Sequence, residues 1–196
     1  MSSHHFVKEG QEPALFIIHA LSLELVQPLL EWAPLVIVMD SAIDEVLHWG
    51  IKIDAVISTT AGIPVLEEKL ADQFPITIQP YAIHEDAFEK GISFLIASGN
   101  TAVTIVTELP QTKFQLATAH PELQFVLMDD KLKWSRYTTS FEKWMTANTP
   151  VFIHKEKSDQ TLLLDGLIPD GDQFSTMKDG RVQVKSDSGF WIGEQP

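Results

Sequence analysis

The sequence predicts an α/β protein: a mostly parallel-sheet domain over residues 1–140, then a small all-β, sandwich-like domain over 141–196. Three observations carry this. Short aliphatic runs alternate with amphipathic stretches through the first two-thirds of the chain, the βαβ pattern of a parallel sheet. Runs such as Leu35-Val-Ile-Val-Met39 show no in–out alternation, as in strands covered on both faces. After about residue 140 the strand-like runs are short and separated by Asp-Gly turn signals, and no helix of more than two turns fits after Ala147.

Taken in order, Ala14–His19 reads as a strand and Leu21–Trp32 as a helix whose second half is compromised by Pro28, since proline removes a helical donor. Leu35–Met39 is a strand. Ser41 then offers an N-cap, with Asp44 and Glu45 in the first turn, and Gly50 ends the helix. Ala55–Ser58 is a third strand, Val65–Asp72 a weaker helix, Ile76–Ile78 a strand and Glu85–Ala97 a longer helix. Val103–Val106, a helix over Thr112–Ala119 and Phe125–Met128 complete the alternation. In the second domain, strands are expected at Val151–His154, Leu162–Leu164, Arg181–Lys185 and Phe190–Gly193.

The 196 residues include 14 Lys and Arg against 27 Asp and Glu, a formal net charge of −13. Such a field repels phosphate backbones, so nucleic acid is not an expected partner. The absence of cysteine removes disulfides, thiol catalysis and Cys-ligated zinc. The first thirteen residues hold Glu9 and Glu12 where a signal peptide needs a basic start and an apolar stretch, and the Ala14–Leu25 run is too short to span a bilayer. A cytoplasmic protein without a membrane partner is expected.

No glycine-rich turn follows the first strand, where Ala20-Leu-Ser-Leu23 stands, so a Rossmann cofactor site is not expected. The segment from Pro34 to Ile57 is more informative. It holds a strand ending in Asp40, then Ser-Ala, a helix, Gly50-Ile51, and Asp54 three residues before Ile57. With Glu85-x-Ala87-Phe88, Ser175-Thr176 and Ser188-Gly189 in the same order, this resembles the thiamine pyrophosphokinases, over about Ala14 to Gly193. The resemblance implies a nucleotide-binding-like first domain and a thiamine-binding-like second one. It implies a homodimer through the β units, and transfer of a diphosphoryl group from Mg·ATP to thiamine.

The departures fall on the acidic motifs. Where that family carries Gly-Asp-Phe-Asp-Ser, whose carboxylates hold Mg²⁺ against ATP, this chain reads Ser58-Thr59-Thr60-Ala61-Gly62. Its Lys-Asp-x-Thr-Asp element aligns with Gln79, Pro80, Tyr81, Ala82 and Ile83. The Arg-x-Asp-His segment has no counterpart; the nearest stretch is Glu108–Gln115. Phosphoryl-type transfer depends on positioning and on neutralising phosphate charge with metal, Lys and Arg. Loss of the whole set predicts a thiamine pyrophosphokinase-like protein with impaired or absent catalysis, a pseudoenzyme. Two alternatives stand beside it. One is an active, diverged enzyme drawing carboxylates from Asp40, Asp54, Glu67, Glu68 and Glu85; the other is a generic α/β binding or dimerisation module. ATP and Mg²⁺ are implied as cofactors only if the activity survives.

No catalytic or metal-ligating residue is assigned. Asp40, at a strand's carboxyl end, is either a ligand-site acid or the cap of the Ser41–Trp49 helix. The resemblance adds Ser175 and Trp191 as contacts for a thiamine-like ligand, an aromatic face suiting a cationic ring; the alternative is that Trp134, Trp144 and Trp191 fill core and interface. Asp44 and Glu45 read as a solvated face. His84-Glu85-Asp86 reads as an acidic helix start, since three adjacent residues cannot share a helix face. Asp129-Asp130 reads as a hairpin turn. His19 and His120 each lack the neighbours of a triad or zinc site.

Overall fold

The computed structural model describes residues 12–196; the N-terminal segment weighed above against a signal peptide lies mostly outside them. The chain divides into two compact units, to Phe125 and from Val126. The change of character near residue 140 falls inside the second.

The first unit runs β1 (Ala14–Ile17), α1 (Leu23–Leu30), β2 (Val36–Met39), α2 (Ile43–His48), β3 (Ala55–Thr59), α3 (Ile63–Lys69), β4 (Thr77–Tyr81), α4 (Ala87–Ala97), β5 (Ala102–Val106) and α5 (Phe114–Thr118). Its strands pair in parallel in the order β5-β1-β2-β3-β4. β1 and β2 are buried at every position, which explains their unbroken aliphatic runs. Ser22 caps α1, its Oγ accepting from Leu25 N at 3.3 Å, and the helix ends two residues after Pro28, short of Trp32. Gly50, at φ 66°, takes the left-handed turn expected of it. Ser41 does not cap α2. It sits inside a 3₁₀ turn, Asp40–Ala42, that leads into the helix without a side-chain cap. α4 is capped by Asp86, whose Oδ1 accepts from Phe88 N and Glu89 N at 2.8 and 3.2 Å. β4 runs on to Tyr81 because it stays in register with β3, Ser58 opposite Pro80 and Thr59 opposite Tyr81. It is an edge strand with Pro80 in it.

The second unit begins within β6 (Gln124–Met128) and continues β7 (Lys133–Tyr137), β8 (Ser140–Met145), β9 (Pro150–Lys155), β10 (Leu162–Asp165), β11 (Leu167–Asp170), β12 (Gln173–Thr176), β13 (Gly180–Ser186) and β14 (Phe190–Glu194). The β6–β7 hairpin turns on Asp129, whose Oδ1 accepts from Lys131 N and Leu132 N at 2.8 and 2.7 Å. One antiparallel sheet is ordered β6-β7-β14-β9-β12-β11 and another β10-β13-β8. Phe141, Met145, Val182 and Val184 of the three-stranded sheet meet Val151, Leu167, Phe190 and Ile192 of the other, a sandwich core. β7, β8, β11 and β12 were not anticipated. Charged residues interrupt the first two, and the last two are four-residue strands; β11, at the sheet's edge, holds Pro169.

Among the described residues no helix is long and apolar enough to cross a membrane.

Candidate functional site at the carboxyl edge of the parallel sheet

From β1 the chain steps outward to β2, β3 and β4, then returns to place β5 on the other side of β1. Open α/β sheets take ligands at such a reversal, here the carboxyl ends of β1 and β5. Five loops surround this edge, and it is their side chains that define the site.

Asp40 leaves the end of β2 and turns toward β3 instead of capping α2. Its Oδ2 accepts from Ser58 Oγ at 2.8 Å and from Thr59 N at 3.4 Å. Ser58 has no exposed surface, so a buried hydroxyl spends its hydrogen on the carboxylate, a charge-assisted contact. Gly62 backs this arrangement: a Cβ there would lie 2.7 Å from Ser58 Oγ and 3.3 Å from Thr59 Oγ1. Tyr81, at the end of β4, has its phenol pushed above the ordinary range by burial and then by the negative charges of Asp40 and Asp86.

At the reversal itself, His19 Nδ1 lies 3.0 Å from Thr107 Oγ1 and accepts from Glu108 N at 3.4 Å. A backbone N–H can only donate, so Nδ1 is the acceptor and the ring proton sits on Nε2. Thr107 is buried. His19 thus has local partners, though still no nucleophile or metal set. Neither this pair nor the Ser58–Asp40 contact was visible in the sequence; the only signal was that all four residues sit at or just beyond predicted strand ends.

The remaining sequence candidates disperse. Asp54 precedes β3, at the opposite edge of the sheet, where its Oδ2 accepts from Val36 N at 2.9 Å and its Oδ1 pairs with Lys52 at 2.7 Å. Glu67 and Glu68 are exposed on α3, and Glu85 Oε2 accepts from Ala82 N at 2.6 Å in the turn before α4. Among the described residues no three His, Asp or Glu side chains converge as metal ligands. Asp40 offers a single carboxylate with Oδ2 already engaged by Ser58 Oγ and Thr59 N, the least that Mg²⁺ takes from protein when phosphates supply the rest. The loops at this edge, 18–23, 40–42, 60–62, 82–86 and 107–110, contain no Lys or Arg. Ile83 is 95% exposed and does not pack against this edge.

In the second unit, Ser175 Oγ donates to Asp170 Oδ2 at 2.7 Å within the β11–β12 hairpin. Trp191 has no exposed surface and sits between Arg136 of β7 and His154 of β9. Ser175 pairs opposite Pro150 and Trp191 opposite His154, so the two are about 13 Å apart along β9 alone.

A concavity of about 570 Å³ opens at the other edge of the parallel sheet, lined by Leu30, Pro34, Val36, Ile51, Lys52 and Asp54. Its acid and base are engaged with each other and with backbone, so it offers little chemistry, and the carboxyl edge is the better site.

No protein-family model and no curated protein matches the chain. Solved structures do. Thiamine pyrophosphokinase from Bacillus subtilis superposes with a TM-score of 0.66 over 93% of this chain and 98% of its own, at 11% identity. The enzyme from Candida albicans gives 0.70 over 94% and 90%, at 9% identity. The yeast enzyme gives 0.70 over 95% and 87%, at 10% identity. The chain has the thiamine pyrophosphokinase fold. Where the resemblance called for carboxylates after β3, this chain has Thr59 and Ala61.

Proposed function

We propose that this protein is a thiamine pyrophosphokinase-like protein that does not transfer diphosphate, and that it keeps the carboxyl edge, with Asp40, as a ligand site. The observation that carries the reading is the engagement of Asp40 Oδ2 by Ser58 Oγ at 2.8 Å and Thr59 N at 3.4 Å, beside Thr59 and Ala61, the two positions where the resemblance calls for metal-binding acids. Charge supports it as well. Residues up to Phe125 hold five Lys and no Arg against sixteen Asp and Glu, a net −11, whereas those from Val126 hold nine basic and eleven acidic residues, a net −2. A triphosphate entering the first unit would meet uncompensated negative charge, and loss of even one charge-stabilising group costs roughly a hundredfold or more in rate.

The same reading assembles the protein as a homodimer through its β units and places it in the cytoplasm, in keeping with its lack of cysteine. For a thiamine-like ligand the resemblance makes Ser175 and Trp191 the contacts; Ser175 is partly exposed, whereas Trp191 has no exposed surface in the single chain.

The test is release of AMP from Mg·ATP by excess protein, with and without thiamine, over hours. No AMP above a protein-free blank is expected, from material shown by sedimentation to be dimeric. Thiamine-dependent AMP would overturn the reading and return the protein to the diphosphotransferases.

A further inference from the structure

The three-stranded sheet β10-β13-β8 gives one face to the sandwich core, through Phe141, Met145, Val182 and Val184. Successive side chains of a strand point to opposite faces, so the alternate residues form the outer face. Strand register arranges them in three rows. Leu163 stands opposite Lys185 and Lys185 opposite Ser140; Asp165 stands opposite Gln183 and Gln183 opposite Glu142; Arg181 stands opposite Trp144. Leu163 and Trp144, at diagonal corners of this grid, are 67% and 64% exposed. Two acids and two bases lie between them.

The grid is complementary to itself. A second copy can be laid on it face to face, related by a two-fold axis in the plane between the faces that crosses Gln183 and bisects the Leu163–Trp144 diagonal. Leu163 then meets the partner's Trp144. With strands about 5 Å apart and alternate residues about 7 Å apart, Asp165 also opposes the partner's Arg181, and Lys185 the partner's Glu142, to within about 3 Å. Every contact occurs twice, as an isologous interface requires, and the strands cross steeply, close to the orthogonal class of sheet packing. Trp144 also has a seat to enter. A concavity of about 350 Å³ opens beside Leu163 and Lys185, lined as well by Thr161, Ser186 and Asp187, and a lysine there suits an indole face.

Charge selects a second copy as the occupant. The chain carries −13 overall, yet this face sets Asp165 and Glu142 against Arg181 and Lys185. Two copies meet here without the repulsion that the first unit, at −11, would impose. Within one chain Glu142 Oε2 accepts from Arg181 and, at 3.0 Å, from Gln183. That ion pair is exposed and changes partners at little cost, since surface pairs contribute little. We infer that the outer face of the β10-β13-β8 sheet is the surface on which two copies of this chain pair, Leu163 of each against the partner's Trp144. The inference rests on the homodimer reading and gives that dimer its face. The face is small beside a standard interface of about 20–30 residues a side, so the dimer is expected to dissociate on dilution.

Sedimentation velocity of the full-length protein over a dilution series tests this. Arg181→Asp sets acid against acid at both symmetric contacts, and Asp165→Arg sets base against base. Each variant alone is expected to pair at least about tenfold more weakly than wild type. An equimolar mixture of the two is expected to regain wild-type pairing, because every acid again meets a base, and only across the interface. Trp144→Ala is expected to weaken pairing by about tenfold or more. All three positions are exposed, and far-UV circular dichroism checks that each variant folds; should Trp144→Ala not fold, the charge variants and their mixture decide. Wild-type pairing by any one folded variant alone, or a mixture no better than its components, overturns the inference and leaves the homodimer on another face. A wild type that stays monomeric throughout overturns the homodimer reading with it.

Discussion

Arg136 and Glu156 are clasped by two hydrogen bonds, Nε to Oε1 at 2.7 Å and Nη2 to Oε2 at 3.2 Å, spanning from β7 to β9 with β14 between them. Glu156 N also donates to Gly189 O at 3.4 Å. Gly189 leaves the space for the carboxylate, since a Cβ there would fall 2.3 Å from Glu156 Oε2. Both charged side chains are mostly buried. The fork geometry is one that Arg makes and Lys does not.

Gly189→Ala is therefore expected to push the carboxylate off its partner. Loss of a charge-assisted contact at a partly buried site costs about 1–3 kcal/mol. Urea unfolding of Gly189→Ala and Glu156→Gln checks this: both should lower the midpoint, and the double variant should fall little further than Glu156→Gln alone. Additive losses would mean that Gly189 acts independently of the ion pair.

Gly91 in α4 sets helix propensity against packing. Alanine there favours the helix by about 0.5–1 kcal/mol. Its Cβ would lie 2.5 Å from Cε1 and Cζ of Phe16, a ring with no exposed surface in β1. Forcing a methyl into a filled core costs about 1–3 kcal/mol, so packing wins and Gly91→Ala is expected to lower Tm. A raised Tm would show that Phe16 moves aside freely.

His120 stitches α4 to the segment before β6. Burial works against its charge, but Glu89 Oε2 at 2.7 Å and Glu122 Oε1 at 3.4 Å outweigh it and raise its pKa above the ordinary 6.5. A group whose folded pKa is raised adds stability that is complete below its unfolded pKa and lost as pH climbs through the folded one. The stability difference between wild type and His120→Gln should be larger near pH 5.5 than near pH 8.5, by about the factor protonation supplies. An equal difference at both pH values would mean that the imidazole acts without its charge.

At the candidate site, Ser58→Ala is expected to cost about 1–2 kcal/mol, because Asp40 Oδ2 loses a buried donor. Gly62→Ala should reproduce much of that loss by crowding Ser58 Oγ. Thermal melts of the two variants test it, and a neutral Ser58→Ala would sink the claim that this hydroxyl orients the carboxylate.

The parallel sheet was legible because its strands are buried on both faces and leave unbroken aliphatic runs, as at Val36–Met39. β7 and β8 were not, because Arg136, Glu142 and Lys143 interrupt their apolar character with ion pairs that only the folded sheet supplies. The residue types after β3, Ser58 to Gly62, could be read directly. Their contacts could not. Ser58 and Asp40 are 18 residues apart, and His19 and Thr107 are 88 apart; such pairs arise from strand register, which a single sequence does not record. Ser41 misled for a related reason: its residue type suits a cap, but Asp40 is drawn to β3, and the turn tightens around Ser41.

Pro80 stands in β4, an edge strand of the parallel sheet, and Pro169 in β11, an edge strand of the antiparallel sheet of the second unit. An edge strand is a template on which another chain can crystallise its own backbone, and each proline withholds one N–H from that template. With these edges interrupted, copies of this protein are steered away from stacking strand upon strand into an open fibre.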